Sequence, residues 1–141
     1  MAPLPKPDDL TSLVLRVDFA EGAAWEALKA AIIAGDPYDN AVFVSDPRYD
    51  GVSTQSLVEA DANAADDDKV FYLFLADATT MVDDEHLLLA VDLHDEPGRT
   101  FRLPPRWYAE VSANLCIANM DFAEYADSVD ASGVFRGFGD T

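Results

Sequence analysis

Val70-Phe-Tyr-Leu-Phe-Leu-Ala76 is an unbroken apolar run in a 141-residue chain whose formal charge is -18. It is too short for a buried helix and does not alternate. A run of this kind reads as a strand covered on both faces. A strand that needs cover above and below implies a sheet between two helical layers. The segment is therefore expected at the centre of the sheet.

The flanking sequence supplies the other elements. Ser12-Leu-Val-Leu-Arg-Val-Asp18 and Ala41-Val-Phe-Val-Ser45 read as further strands. Between them, Trp25, Leu28, Ile32 and Ile33 recur at helical spacing from Ala23 to Ala34. Asp18-Phe-Ala-Glu21 has the spacing of a capping box at its start, and Gly35 with Asp36-Pro37 marks its end. A short helix is predicted over Ser53–Ala60, and a polar loop over Asp61–Lys69. Ala78–His86 reads as a helical turn or loop with Thr80 as its cap. Leu87–His94 and Arg99–Leu103 read as a hairpin, with Pro97-Gly98 at the centre of a type II turn. Pro104-Pro105 opens a helix carrying Trp107, Tyr108, Val111 and Leu115, and another helix follows over Phe122–Val129. Gly133–Gly139 is a Gly-aromatic strand or loop. The fold class is α/β: one domain over 12–138, with a mixed sheet of about five strands, helices on both faces and a C-terminal helical segment. Residues 1–11, rich in proline, form a flexible leader, and 139–141 a tail. The core is expected to hold Leu13, Leu15, Trp25, Leu28, Phe43, Leu75, Leu89, Val91 and Leu115.

Charge narrows the function. Twenty-seven Asp and Glu stand against nine Lys and Arg. A small soluble domain usually carries a net charge of about 2–8. So large an excess repels itself in the compact state and calls for compensation by a basic partner, bound cations or external salt. Direct nucleic-acid binding is disfavoured, because phosphate contacts need Lys and Arg. No stretch reaches the eighteen or more apolar residues of a membrane span. The N-terminus lacks the apolar core of an export signal, and the single Cys116 lies in an apolar run, so a cytoplasmic protein with an inert thiol is expected.

Catalytic patterns are missing from the sequence: it has no G-x-S-x-G, no G-x-G-x-x-G and no phosphate-loop motif. No cofactor is implied. Three predicted strands end in Asp18, Asp46 and Asp77. If these strands are adjacent and parallel, their carboxylates gather at one sheet edge and form a candidate Mg²⁺ site. Each also has a local role open to it, as a helix cap or turn starter. His94 beside Asp92, with His86 nearby, is a weaker acid–base or metal candidate. The C-terminal third is the favoured interaction surface. Asp121, Glu124 and Asp127 recur there at helical spacing beside Tyr125 and Trp107, mixing charges that steer encounter with rings that anchor interfaces.

Several longer segments carry a resemblance: LVLRVDF with GAAWEALKAAI, FLADATT, LLLAVDLHDEPGRTFRLPP and NLCIANMDFAEYADSVDASGVFRGF. Together, from about Ser12 to Phe138, they resemble a family of small acidic actinobacterial proteins with no assigned activity. The resemblance implies a cytoplasmic bacterial α/β protein and transfers no catalytic residues. In size and charge the chain is also similar to bacterial immunity proteins. The function expected is an acidic protein-binding module of the inhibitor or immunity type, with a basic protein as partner. Two other readings remain open: a cation-dependent enzyme or metal-responsive domain using Asp18, Asp46 and Asp77, and an acidic surface that reflects solvent adaptation alone.

Overall fold

A computed structural model of the protein describes residues 3–8, 10–36 and 40–137. Five strands form one mixed sheet: β1 (Ser12–Arg16), β2 (Ala41–Val44), β3 (Tyr72–Ala76), β4 (Leu88–Asp92) and β5 (Thr100–Leu103), in the order β2-β1-β3-β4-β5. β1 pairs in parallel with β2 and β3, while β3–β4 and β4–β5 are antiparallel. The apolar run thus occupies the middle of the sheet, as its composition requires. Among the described residues five α-helices accompany it: α1 (Gly22–Ala34), α2 (Thr54–Ala62), α3 (Ala78–Val82), α4 (Tyr108–Cys116) and α5 (Phe122–Ala126).

Strand alternation divides the interior into two layers. Val14, Phe74, Ala76, Ala90, Phe101 and Leu103 face Trp25, Leu28 and Ile32 of α1, together with Tyr108, Val111, Phe122 and Tyr125 of α4 and α5. Leu13, Leu15, Leu73, Leu75 and Val91 face Leu57 and Ala60 of α2. Burying each Val, Leu, Ile or Phe side chain among them contributes roughly 1.5–3 kcal/mol. Phe43, Leu89 and Leu115 are partly buried and pack against these layers. The first crossover leaves β1 through α1 towards β2. The second returns through α2, on the opposite face, to the far side of β1. Reversing both direction and face gives the two crossovers the same hand.

Local details depart from the sequence reading for identifiable reasons. Asp18 accepts from Ala20 N at 2.8 Å, so it closes a turn; Glu21 occupies the cap position of α1 without a side-chain cap bond. Ile33 is exposed, since its neighbour Ile32 takes the inward position. Asp77, not Thr80, caps α3, and Thr80 answers it three residues on with a bond from Asp77 N at 3.2 Å. α2 continues to Ala62 and carries Asp61 into the interior. α5 stops at Ala126. The turn Glu96–Arg99 closes as expected, with Arg99 N on Glu96 O at 2.9 Å and Gly98 at φ +95°.

The two termini of the fold are held more closely than the sequence suggests. Leu4 of the leader is buried against the α2 layer. Beyond Gly133, Val134 bridges Arg102 in parallel, and Phe135 inserts among Phe101, Trp107 and Tyr125. The described part of the Gly-aromatic segment therefore covers the β5 edge and buries the Phe135 ring. Phe138, Gly139 and the 139–141 tail lie outside the described residues, as do Pro37 and the first two residues of the leader. No helix among the described residues is long and apolar enough to cross a membrane.

Candidate functional site

Two buried aspartates shape one end of the molecule. Asp61 is 1% exposed. Its carboxylate accepts Val70 N at 2.7 Å and Phe71 N at 3.2 Å, just ahead of β3. Asp92 is 3% exposed and accepts His94 N and Glu96 N, each at 2.9 Å. Both groups tie down loops from inside, as charge-assisted acceptors do well. The Asp61 clamp sets Phe71 at φ +74°, a conformation bulky L-residues rarely adopt, and Phe71 O returns to the sheet by accepting Leu93 N at 2.9 Å. The ring is thereby turned outward.

An open groove of about 900 Å³ lies beside Phe71. Its walls come from the start of β3, the end of β4, the end of α4 with the link to α5, and segment 6–11. Leu10, Phe71 and Ile117 present apolar surface there, with Cys116 and Met120 between them. Asp8, Asp95 and Asp121 stand on its rim. Lys6 and Lys69 also line it, but their ammonium groups donate to backbone carbonyls of Asp67, Asp61 and Ala62. The His94 ring meets Phe71 edge-on at 5.0 Å.

Behind the groove a chain of hydroxyls enters the core. Tyr72 OH lies 2.7 Å from Ser12 Oγ, which lies 2.6 Å from Ser112 Oγ. Burial pushes Tyr72 up to about 12, so the phenol stays neutral at physiological pH. Burial likewise raises the Cys116 thiol. Both shifts favour the neutral, protonated form of these two side chains.

The profile of a family described as a domain of unknown function, DUF6924, matches residues 11–138. The chain belongs to this family. The expectation of a family without assigned activity holds, and no curated protein matches the chain. The matched DUF6924 span contains all of the groove except the wall made by Lys6, Pro7, Asp8 and Leu10.

Within the DUF6924 domain the predicted interaction surface separates into two parts. Asp121, Glu124 and Asp127 are exposed. Tyr125 is fully buried, its hydroxyl accepting Asn114 Nδ2 at 2.9 Å, and Trp107 is half-buried against Phe135. Tyr125 is interleaved with the acids in sequence but takes the opposite side of α5, because a helix that shows its acids to water turns the alternate positions to the core, while Trp107 lies ahead of α4. Asp121 alone of the five lines the groove. Glu124 Oε1 accepts Asp121 N at 3.3 Å, and Asp127 pairs with Arg99.

The metal alternative fares differently. Asp18 and Asp77 do flank one shallow hollow of about 510 Å³ at the carboxyl ends of β1 and β3, together with Asp50. Asp46 does not reach it; it caps Arg48 N and pairs with that guanidinium at 2.9 Å. Asp77 is held by both terminal nitrogens of Arg102, each at 2.8 Å. Among the described residues no three His, Cys, Asp or Glu side chains are placed to share a cation. The His94–Asp92 pairing also dissolves: Asp92 is turned inward to backbone amides, while His94 is exposed and its Nε2 lies 3.7 Å from Asp95. His86 Nδ1 lies 3.1 Å from Thr80 O.

Asp77 gives a pH prediction. Burial pushes its carboxyl up, but the bonds from Arg102 and the Thr80 amide outweigh burial and leave it below its ordinary value of 3.8. A carboxyl depressed by folding stabilises the fold above its unfolded value, and that contribution is lost as pH falls through the folded one. Urea midpoints of wild type and Asp77→Asn, compared across pH, should differ fully above pH 3.8 and converge below it. A constant difference down to the acid limit would contradict the pairing. Using the difference removes the general relief of repulsion that protonation brings to so acidic a chain.

Proposed function

We propose that the protein is an acidic protein-binding module of the inhibitor or immunity type, acting in the bacterial cytoplasm on a basic protein partner. The observation that carries this reading is where the charges are spent. Lys29, Arg48, Arg99, Arg102 and Arg136 are each paired with carboxylates of the chain itself. Among the described residues, the carboxylates of exposed acids such as Glu59, Asp66, Asp68, Glu110 and Asp121 have no such ion pair. The residual charge is therefore free to act at a distance, and it does so beside an apolar groove. Such a field accelerates encounter with a cationic protein and repels like-charged surfaces. The likeness in size and charge to immunity proteins, and the resemblance to small acidic actinobacterial proteins, support the same reading.

The test is a partner captured at low salt, identified, and titrated against wild type and a triple variant, Asp121→Lys, Glu124→Lys, Asp127→Lys. The expected result is weaker binding with a flatter dependence on salt, while circular dichroism shows the fold intact. Normal binding by a folded triple variant would move the interface away from α5. Capture of only neutral or acidic proteins would remove the basic-partner reading. If the acid served solvent adaptation alone, wild type would instead unfold as salt is withdrawn.

A further inference from the structure

We propose that Leu10, Phe71 and Ile117 form an anchor site, and that its occupant is a basic amphipathic segment of a protein partner. The segment's apolar side chains would meet these three residues, and its Lys or Arg side chains the carboxylates of Asp8, Asp95 and Asp121. The proposal rests on the acidic-module reading and specifies how the partner is held.

Three independent observations converge on the groove. The first is exposure. Leu10 is 64%, Phe71 41% and Ile117 57% exposed, three of the five large hydrophobic residues so exposed among the described residues. Apolar surface gathered on one concavity marks an interaction site more than scattered side chains do. The second is backbone strain. Four described non-glycine residues have positive φ, and three of them, Leu10 at +66°, Phe71 at +74° and Ala118 at +55°, line this groove. Strain of this kind persists only where the surroundings impose it, and it collects at functional sites. Here the imposing group is identifiable at Phe71: the buried carboxylate of Asp61. A fully buried charge is used to hold an aromatic ring out of the core. The third is charge. With -18 on the chain, an anionic amphiphile is repelled on approach, and the two lysines that line the groove already serve backbone carbonyls. The carboxylates on the rim suit cations flanking an apolar stripe, the pattern of an amphipathic segment in a groove.

Phe71→Gly separates a binding role from a structural one. Glycine suits a positive φ, so the substitution relieves strain while deleting the ring. Full-length wild type, Phe71→Gly and Ile117→Ser are titrated with three probes: a Leu/Lys amphipathic peptide, an oligolysine of equal charge, and dodecanoate. Wild type is expected to prefer the amphipathic peptide to oligolysine. Both variants should lose roughly tenfold or more in affinity for it, as expected of an anchor residue, while binding oligolysine unchanged. Phe71→Gly should melt no lower than wild type. Undiminished amphipathic-peptide binding by both variants would overturn the anchor site and leave the acidic module standing. Preference for dodecanoate would overturn the choice of occupant, and so would a stable dimer of wild type that seals the groove in light scattering. Failure of wild type to bind either cationic peptide would overturn the acidic-module reading along with the anchor. A lowered melting temperature for Phe71→Gly would assign the ring a structural role and overturn the proposal.

Discussion

Leu73→Asp is expected to yield no folded protein at neutral pH. Leu73 is 0% exposed, lies in the central strand β3, and is opposite Val91 of β4. Its side chain packs in the layer shared with Leu57 of α2. That layer is built of apolar side chains, so the carboxylate would be buried among them without a partner. A charge in that position costs several kcal/mol after relaxation. The whole fold of a domain this size is stable by only about 5–15 kcal/mol. Self-repulsion among the existing acids lowers the margin further. Leu73→Met, which conserves volume and polarity, should cost less than about 1.5 kcal/mol. Circular dichroism and gel filtration of the two variants provide the measurement. A soluble, native-like Leu73→Asp would place β3 outside the core.

Asp61→Ala is expected to cost about 2–5 kcal/mol, large for a change from a charged to a small residue. Its two backbone donors, Val70 N and Phe71 N, would lose a charged acceptor, and an orphaned buried donor costs about 1–3 kcal/mol. Asp61→Asn keeps one acceptor oxygen and should fall between Ala and wild type. The loss should be local as well as global, so hydrogen exchange at Val70 and Phe71 should accelerate ahead of the amides in the middle of β3. Because the carboxylate holds Phe71 in a strained conformation, Phe71→Gly should gain less stability in the Asp61→Ala background, where the hold is already released, than in wild type. Strict additivity of the two changes, measured by urea unfolding, would show that clamp and strain are uncoupled.

Asp61 also marks the limit of what the sequence discloses. The strands and the hairpin are legible because each carries its signal within a few neighbouring residues: an apolar run, a period of two, a Pro-Gly turn. Asp61 begins a polar stretch with Asp66-Asp67-Asp68 and is locally indistinguishable from a solvated acid. Only the turn back towards β3 places its carboxylate against the two amides. The separation of acids from rings around α5 has a related cause. Spacing puts Asp121, Glu124 and Asp127 on one side, but nothing within the helix says that Tyr125 faces Phe101 and Phe135, which join it from β5 and from the segment beyond Gly133. The groove is less legible still, since Leu10, Phe71 and Ile117 are far apart in sequence. An apolar residue that folding leaves outside is spelled like one that it takes in. The signal that was available was Phe71 itself, the residue of the apolar run that falls just before β3 begins.

Among the described residues the sheet closes one margin and leaves the other without a strand partner. Val134 pairs beyond β5, whereas β2, Ala-Val-Phe-Val, is the terminal strand on its side and carries no charged residue. A short uncharged border strand invites docking by another copy of itself, and many proteins guard against this with a lysine or a bulge. This chain has neither within β2. Its protection is colloidal: every copy carries the same -18, and copies meet across a repulsion that reaches only about a Debye length, roughly 8 Å at physiological salt. Concentrated brine or a polycation, by screening that repulsion, is expected to bring copies together at this border while circular dichroism still reads the native fold.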